Sequence, residues 1–222
     1  RQLKVSVEPA FASRWLVGRL GRFNDLHPDI ELNIDPTSRL VDFRSGEADL
    51  GVRYGAGKWE DVEAVRLSEV VIFPVCAPSL IANMPDLKPT DLGQFNLLHE
   101  TRKEWWADWL ASAGIAGVED WRGTVFQNHL AIEAAEAGQG FALGDQILCT
   151  DSLIEGWLKR PFNLDLKDHG SYWIVRARGM KETAPARAFR EWLMAEMADT
   201  NRKFAQVAGT RGASVAGKGP NA

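Results

Sequence analysis

The chain has 222 residues, 45% of them hydrophobic, with 26 Lys and Arg against 30 Asp and Glu and a formal charge of −4. The hydrophobic share is the ordinary globular value and excludes disorder over most of the chain, and no apolar run approaches the roughly 18 residues of a membrane span. Residues 201–222 hold Arg202, Lys203, Arg211 and Lys218 without an acid, so the first 200 residues carry 22 basic and 30 acidic side chains, a net of −8 and a poor surface for phosphate backbones.

Leu3-Lys4-Val5-Ser6-Val7 alternates as a half-buried strand does. Pro9 suits a first helical turn, and Phe11, Trp15, Leu16, Leu20, Phe23 and Leu26 follow at helical spacing until His27-Pro28 stops the run. Ile30 to Ile34 is a second strand. Thr37 or Ser38 is expected to cap a short helix through Leu40, Val41 and Phe43, ended by Gly46. Ala48 to Tyr54 is a third strand. This β-α-β-α-β order calls for a parallel sheet with helices on its faces.

The apolar run from Leu67 to Cys76 contains Pro74, and an interior proline argues against an ordinary central strand. The run is expected to leave one unit and enter another. Beyond it the alternation resumes: a short helix from Thr90, a strand at Asn96-Leu97-Leu98, and a helix over residues 104–113 closed by Gly114. A strand at Gly123–Phe126, a helix over 130–137 stopped by Gly138, a strand at Phe141-Ala142-Leu143 and a helix from Asp145 come next. Ser171 to Val175 is a late strand, and Pro185 to Met197 an amphipathic helix. The Gly-, Ala- and Ser-rich stretch 201–222 is expected to be disordered.

The expected architecture is α/β, with two Rossmann-like lobes, the second inserted into the first. Lobe I takes residues 1–74 and 175–200, lobe II residues 75–174, and the crossovers fall near Pro74–Ala77 and Ser171–Val175. Ligands of such sheets bind beyond the carboxyl ends of strands, here in the crevice between lobes.

Chemistry-bearing motifs are sparse. Gly138-Gln139-Gly140 and Tyr54-Gly55-Ala56-Gly57 complete no phosphate-binding fingerprint, and the four histidines have no metal-ligand spacing. No nucleophile elbow or other catalytic signature is present, so no catalytic residue, metal or cofactor is assigned. Cys76 and Cys149 are too few for a disulfide scaffold; buried reduced thiols are their ordinary role, and a redox role needs an exposed thiol of low pKa. Among nine tryptophans, Trp59 and Trp105 are candidates to line an apolar pocket. The loops after strand ends offer the better ligand contacts: Glu8–Phe11, Thr37–Ser38, Tyr54–Gly55, Glu100–Thr101, Gln127–His129 and Tyr172. They supply hydroxyls, amides and helix N-terminal N–H groups, a set suited to holding a small polar ligand without reacting with it.

Val5-Ser6-Val7 with Phe11-Ala12-Ser13-Arg14-Trp15-Leu16-Val17, Leu20-Gly21-Arg22-Phe23 and His27-Pro28-Asp29-Ile30 resemble the regulatory domain of LysR-type transcriptional regulators. So do Leu50 to Trp59, Pro74-Val75-Cys76-Ala77-Pro78, Glu133-Ala134-Ala135 with Gly138-Gln139-Gly140, and Gly170-Ser171-Tyr172-Trp173. The likeness covers about residues 3–198, in the branch of the glycine-cleavage activator and the β-lactamase regulator. It implies a type II periplasmic-binding-protein-like fold and a cytoplasmic bacterial protein. It also implies a winged helix-turn-helix before this segment, DNA binding only through that domain, a homodimer of this domain and a full-length tetramer. Residues 11–26 of one chain would face residues 130–137 of the partner.

The family's ligand contacts carry over to Pro9, Ala10 and Phe11, to Gln127 and Asn128, and to Tyr172. Thr37, Ser38, Tyr54, Gly55, Thr101 and His129 join them from the loop reading. Relatives that grip a carboxylate often have Ser or Thr in the first loop, where this chain has Ala10. The expected function is thus an effector-sensing and oligomerising domain, not an enzyme, with no membrane partner. The alternative is a periplasmic solute-binding protein of a transporter, which shares the fold.

Overall fold

A computed structural model describes residues 1–100, 104–116, 123–127 and 130–209, with the backbone alone at 168 and 169. Strand β1 (Gln2–Val7) pairs in parallel with β2 (Glu31–Pro36) and β3 (Leu50–Gly55). Between β1 and β2 the chain is helical over residues 9–26. It passes from α1 (Pro9–Phe11) through a π turn (Ala12–Leu16) and a 3-10 turn (Val17–Arg19) into α2 (Leu20–Leu26). Glu8 caps this run by accepting the Phe11 N–H, and Pro9 at the first position costs no hydrogen bond. His27-Pro28 ends it as expected.

Residues 37–46 form turns and no helix, contrary to the expectation from Thr37, Ser38 and Gly46. The reason is local competition. Thr37 Oγ1 accepts the Arg39 N–H, and the Asp42 carboxylate accepts the N–H groups of Arg44 and Ser45 that a helix would have used.

The 14-residue strand β4 (Val62–Val75) lies antiparallel to β7 (Leu166–Ala177), and both run from one side of the molecule to the other. Residues 62–69 of β4 pair with residues 171–177 of β7, of which 171–175 also pair with β3. Beyond register shifts between Arg66 and Ser68 and between Glu69 and Val71, β4 turns to β6 (Phe141–Asp145), and Pro74 lies opposite Leu143 there. β6 also pairs in parallel with the short β5 (Leu97–Leu98), giving the order β2-β1-β3-β7-β4-β6-β5. β4 keeps β7 as far as Ile72 opposite Leu166 and takes up β6 from Ile72 onward, so the change of partner falls at Ile72, two residues before Pro74.

Three helices cover the β6 side: α3 (Glu104–Ser112), α4 (Leu130–Glu136) and α5 (Gln146–Glu155). Gly138 adopts φ +78 after α4, and the Asp145 carboxylate caps α5 through the Ile147 and Leu148 N–H groups. Gly123–Phe126 makes no strand, only a bridge of Val125 to His99, because β5 offers just two paired residues.

Helix α6 (Ala184–Gly209) corrects the expected tail, since residues 201–209 are helical. Burial supplies what composition did not. Phe204 stacks on Phe73 at 5.3 Å, and the Arg160 guanidinium lies over both rings. Residues 210–222 lie outside the described residues.

The first helical run is tied across the molecule. Arg14 donates to Glu136 at 2.6 Å, to Ser152 at 3.1 Å and to the Leu148 carbonyl at 3.0 Å. Arg19 makes two parallel bonds of 2.7 and 2.8 Å to Asp151, and Trp15 Nε1 donates to Thr200.

Candidate functional site

Where β4 and β7 change partners, the two groups of strands enclose a cavity of about 300 Å³. Glu8, Ala10, Ser38, Arg53 and Tyr54 line it from the β1–β3 side, and Glu100, Trp105, Ile132, Leu143 and Asp145 face them from the β5–β6 side. Tyr172 of β7 and Val70 and Ile72 of β4 form the floor. This is the place beyond strand ends where α/β folds take small ligands.

The floor is held by aromatic packing. Tyr172 is buried, with its ring 5.1 Å from Phe11 and 5.4 Å from Tyr54. Gly170 is required here: a Cβ at this position would stand 2.4 Å from the Tyr54 ring, so only glycine lets that ring lie against β7. Phe11 also packs on Trp15 at 4.7 Å and belongs to the support beneath the cavity.

Arg53 is a cation on a strand covered from both sides. Its Nη atoms donate to the Val52 and Arg39 carbonyls and to Ser6 Oγ, and its Nε–H has no acceptor among the described residues. Burial lowers its pKa, although Glu8 and Asp35 pull the other way. Opposite, burial pushes the Glu100 carboxyl up to about 8, and the charges of Glu8 and Asp145 add to the effect. Behind the cavity, the Arg14 cluster behaves differently. Burial disfavours the Glu136 carboxylate, but hydrogen bonds from Arg14 and Ser152 outweigh that and hold it below the ordinary carboxylate value.

Of the residues expected at the site, Ala10, Ser38, Tyr54 and Tyr172 do line the cavity. Pro9 starts α1 and Thr37 caps its own turn, so neither is among the lining residues. Gly55 packs instead against Trp59 and offers its carbonyl to Trp173 Nε1 at 2.9 Å. Gln127 is exposed and is not among the lining residues. Thr101, Asn128 and His129 lie outside the described residues.

Trp105 meets the expectation of a pocket aromatic, whereas Trp59 lines a separate depression with Lys58 and Arg178. Cys76 and Cys149 are both buried, and burial raises the Cys149 pKa further, the opposite of a reactive thiol. Arg53 and Asp145 were missed. A lone arginine inside the apolar strand Leu50 to Gly55, and an acid between a strand and a helix, were the available signals.

Among the described residues no helix is long and apolar enough to cross a membrane. The family model of the LysR substrate binding domain matches residues 1–198. The chain is 31% identical over 204 residues to the glycine cleavage system transcriptional activator of Escherichia coli K12, covering 91% of this chain and 67% of that protein. It is 35% identical over 198 residues to the transcriptional activator AmpR of Pseudomonas aeruginosa, covering 88% and 66%. The chain therefore spans about two thirds of the length of these relatives. The effector domain of the Pseudomonas aeruginosa AmpR superposes with a TM-score of 0.77 at 32% identity, covering 91% of this chain and 98% of that one. The effector binding domain of Citrobacter freundii AmpR gives 0.76 at 31%, covering 90% and 99%.

These relatives are regulators of transcription, which sets the transporter alternative aside, and their effector domains share the two-lobe, periplasmic-binding-protein-like fold. The chain belongs to the LysR substrate-binding domain family, the effector-sensing part of LysR-type transcriptional regulators.

Proposed function

We propose that the cavity between the lobes is the effector site, with Ala10, Ser38, Tyr54 and Tyr172 as its contacts. The observation that carries this reading is the composition of the cavity wall: both groups of strands contribute, and the floor is made of the two strands that join them. A ligand held there touches both lobes at once and favours one arrangement over another, which is what a sensor needs. The domain is non-catalytic and cytoplasmic, and it acts on DNA only through a domain outside this chain.

The domain pairs with a second copy, and the full-length protein assembles further to a tetramer. Apolar residues support the pairing: Val17 and Leu26 on the first helical run are 60% and 67% exposed, and Leu130 at the start of α4 is 44% exposed.

The test fills the cavity. Ala10→Phe projects a ring into the space, while the core contacts of Phe11 and Trp15 stay in place. Thermal shift against a fractionated pool of bacterial metabolites should show a stabilising fraction for the parent domain and none for the variant. Equal stabilisation of both proteins would place the effector elsewhere.

A further inference from the structure

Arg14 is not among the residues that line the cavity, yet one of its bonds ends on the wall. Its Nε–H donates at 3.0 Å to the carbonyl of Leu148, a lining residue. The N–H of Leu148 is taken at 2.8 Å by the Asp145 carboxylate, so both of its backbone polar groups have a side-chain partner. Asp145 lines the cavity as well. On the helical run that carries Arg14, Ala10 lines the cavity from the opposite side. One guanidinium thus joins the wall of Ala10 to the wall of Leu148 and Asp145.

The other arm of the guanidinium is held as firmly. Nη2 donates to Glu136 and Ser152, and Ser152 Oγ donates in turn to Glu136. The Arg14 and Glu136 side chains are only 10% and 22% exposed, so water competes little for the pair. Arg19 crosses to α5 in a similar way, but its partner Asp151 is 49% exposed and is not a lining residue. The backbone supplies an independent observation. Arg14 lies inside the π turn Ala12–Leu16, where the Val17 N–H reaches back to the Ala12 carbonyl, and Arg19 ends the 3-10 turn that follows. A π turn within a helix is rare and occurs mostly at functional sites, and a 3-10 stretch in mid-helix marks a hinge or strain. The helix leaves regular geometry over the residues that make the crossing.

We propose that Arg14 is a positioning residue of the effector site. It touches no ligand; through Leu148 and Glu136 it fixes the separation of the two cavity walls. The strands β4 and β7 join the halves along the floor, and the Arg14 cluster joins them a second time through the helices. The proposal rests on the reading of the cavity as the effector site.

The experiment measures the distance between nitroxide labels on Asn33→Cys in β2 and Asp108→Cys in α3, both exposed positions, by pulsed electron resonance. Cys76 and Cys149 are buried, so the labels go to the introduced thiols. The parent should give one narrow distance. Arg14→Leu with Glu136→Leu puts a non-directional apolar contact in place of the fork and leaves Leu148 untied, so the distribution should widen at least about twofold. Arg14→Lys keeps the charge beside Glu136 but not the planar fork that also reaches Leu148, and should widen it in the same direction. Phe204→Ala, a destabilised variant with no bond in the cluster, should keep the parent width. An unchanged width in both Arg14 variants overturns the proposal, and so does equal widening in Phe204→Ala.

These distances need no ligand, so they judge the tie apart from the cavity reading. The metabolite fraction that raises the parent's thermal midpoint should give Arg14→Lys less than about half of that shift. A widened distribution with an undiminished shift leaves the tie standing and overturns the cavity as the place where the effector binds.

Discussion

The Arg14 guanidinium reaches Glu136 at 2.6 Å and joins the first helical run to α4 across 122 positions of the chain. Both partners are largely withdrawn from water, and Ser152 completes the cluster with a 2.6 Å bond to the same carboxylate. Arg14→Leu leaves that carboxylate without its cation, so the variant should lose about 2–4 kcal/mol in urea unfolding. Replacing Glu136 by Leu as well should recover part of the loss, since a partly buried apolar pair costs less than one unpaired charge.

The same pair makes stability depend on acid. The native Glu136 carboxyl titrates below its ordinary value of 4.5. Its contribution is complete above that ordinary value and disappears as pH falls through the lowered native one. Urea midpoints taken between about pH 2.5 and about pH 5 should therefore fall more steeply for the parent than for Glu136→Gln.

Glu100 has the opposite sign. Its native pKa of about 8 lies above the ordinary 4.5, so the folded state holds a proton that the unfolded chain has released. Stability declines as pH rises between those two values and levels off above about 8. Glu100→Gln removes the penalty and should raise stability by about 2 kcal/mol near pH 8.5, with no gain below about pH 4.5. An unchanged urea midpoint at the higher pH would contradict it.

Much of this was legible in the residues themselves. Alternation in Leu3 to Val7, helical spacing from Phe11 to Leu26 and the glycine after Ala137 are local signals, and each maps onto an element of the fold. Proline inside Leu67 to Cys76 marked the strand that passes from one group of strands to the other. The misses share a cause. At residues 37–46, side chains compete with the backbone for its own N–H groups, an outcome decided by geometry and not by composition. The helix beyond Thr200 depends on Phe73, far away in sequence, and no local pattern records that contact. At the site, the loop residues were identifiable by position. Arg53 and Asp145 matter because the fold brings them to the same cavity as Glu8 and Glu100, and their spacing in the chain does not show it.

Phe204 should prove a determinant of the last helix. Phe204→Ala removes the ring stacked on Phe73 and one of the two faces that Arg160 covers. A loss of about 1–2 kcal/mol is expected in thermal or urea unfolding. Amide exchange should quicken over residues 201–209 more than in β1.

Packing at the start of α5 leaves no room for a methyl group. A Cβ on Gly144 would stand 2.4 Å from Cys149 Sγ and 3.2 Å from Val75, so Gly144→Ala should destabilise by about 1–3 kcal/mol. Adding Cys149→Ala frees the space the sulfur occupied and should restore much of the loss, a coupling that a double-mutant cycle reads directly.

The two chain passages between the halves of the molecule are hydrogen-bonded neighbours, β4 against β7, from Val62 opposite Ala177 to Ile72 opposite Leu166. Two separate tethers would allow the halves to slide, open or swivel independently. A bonded ribbon resists shear along its ladder and yields most easily by twisting, at the irregular registers between Arg66 and Val71. It therefore behaves as a torsion bar. Any closing of the halves would then be rotation about one axis, and the helices farthest from that axis would travel the greatest distance for the smallest change at the cavity wall.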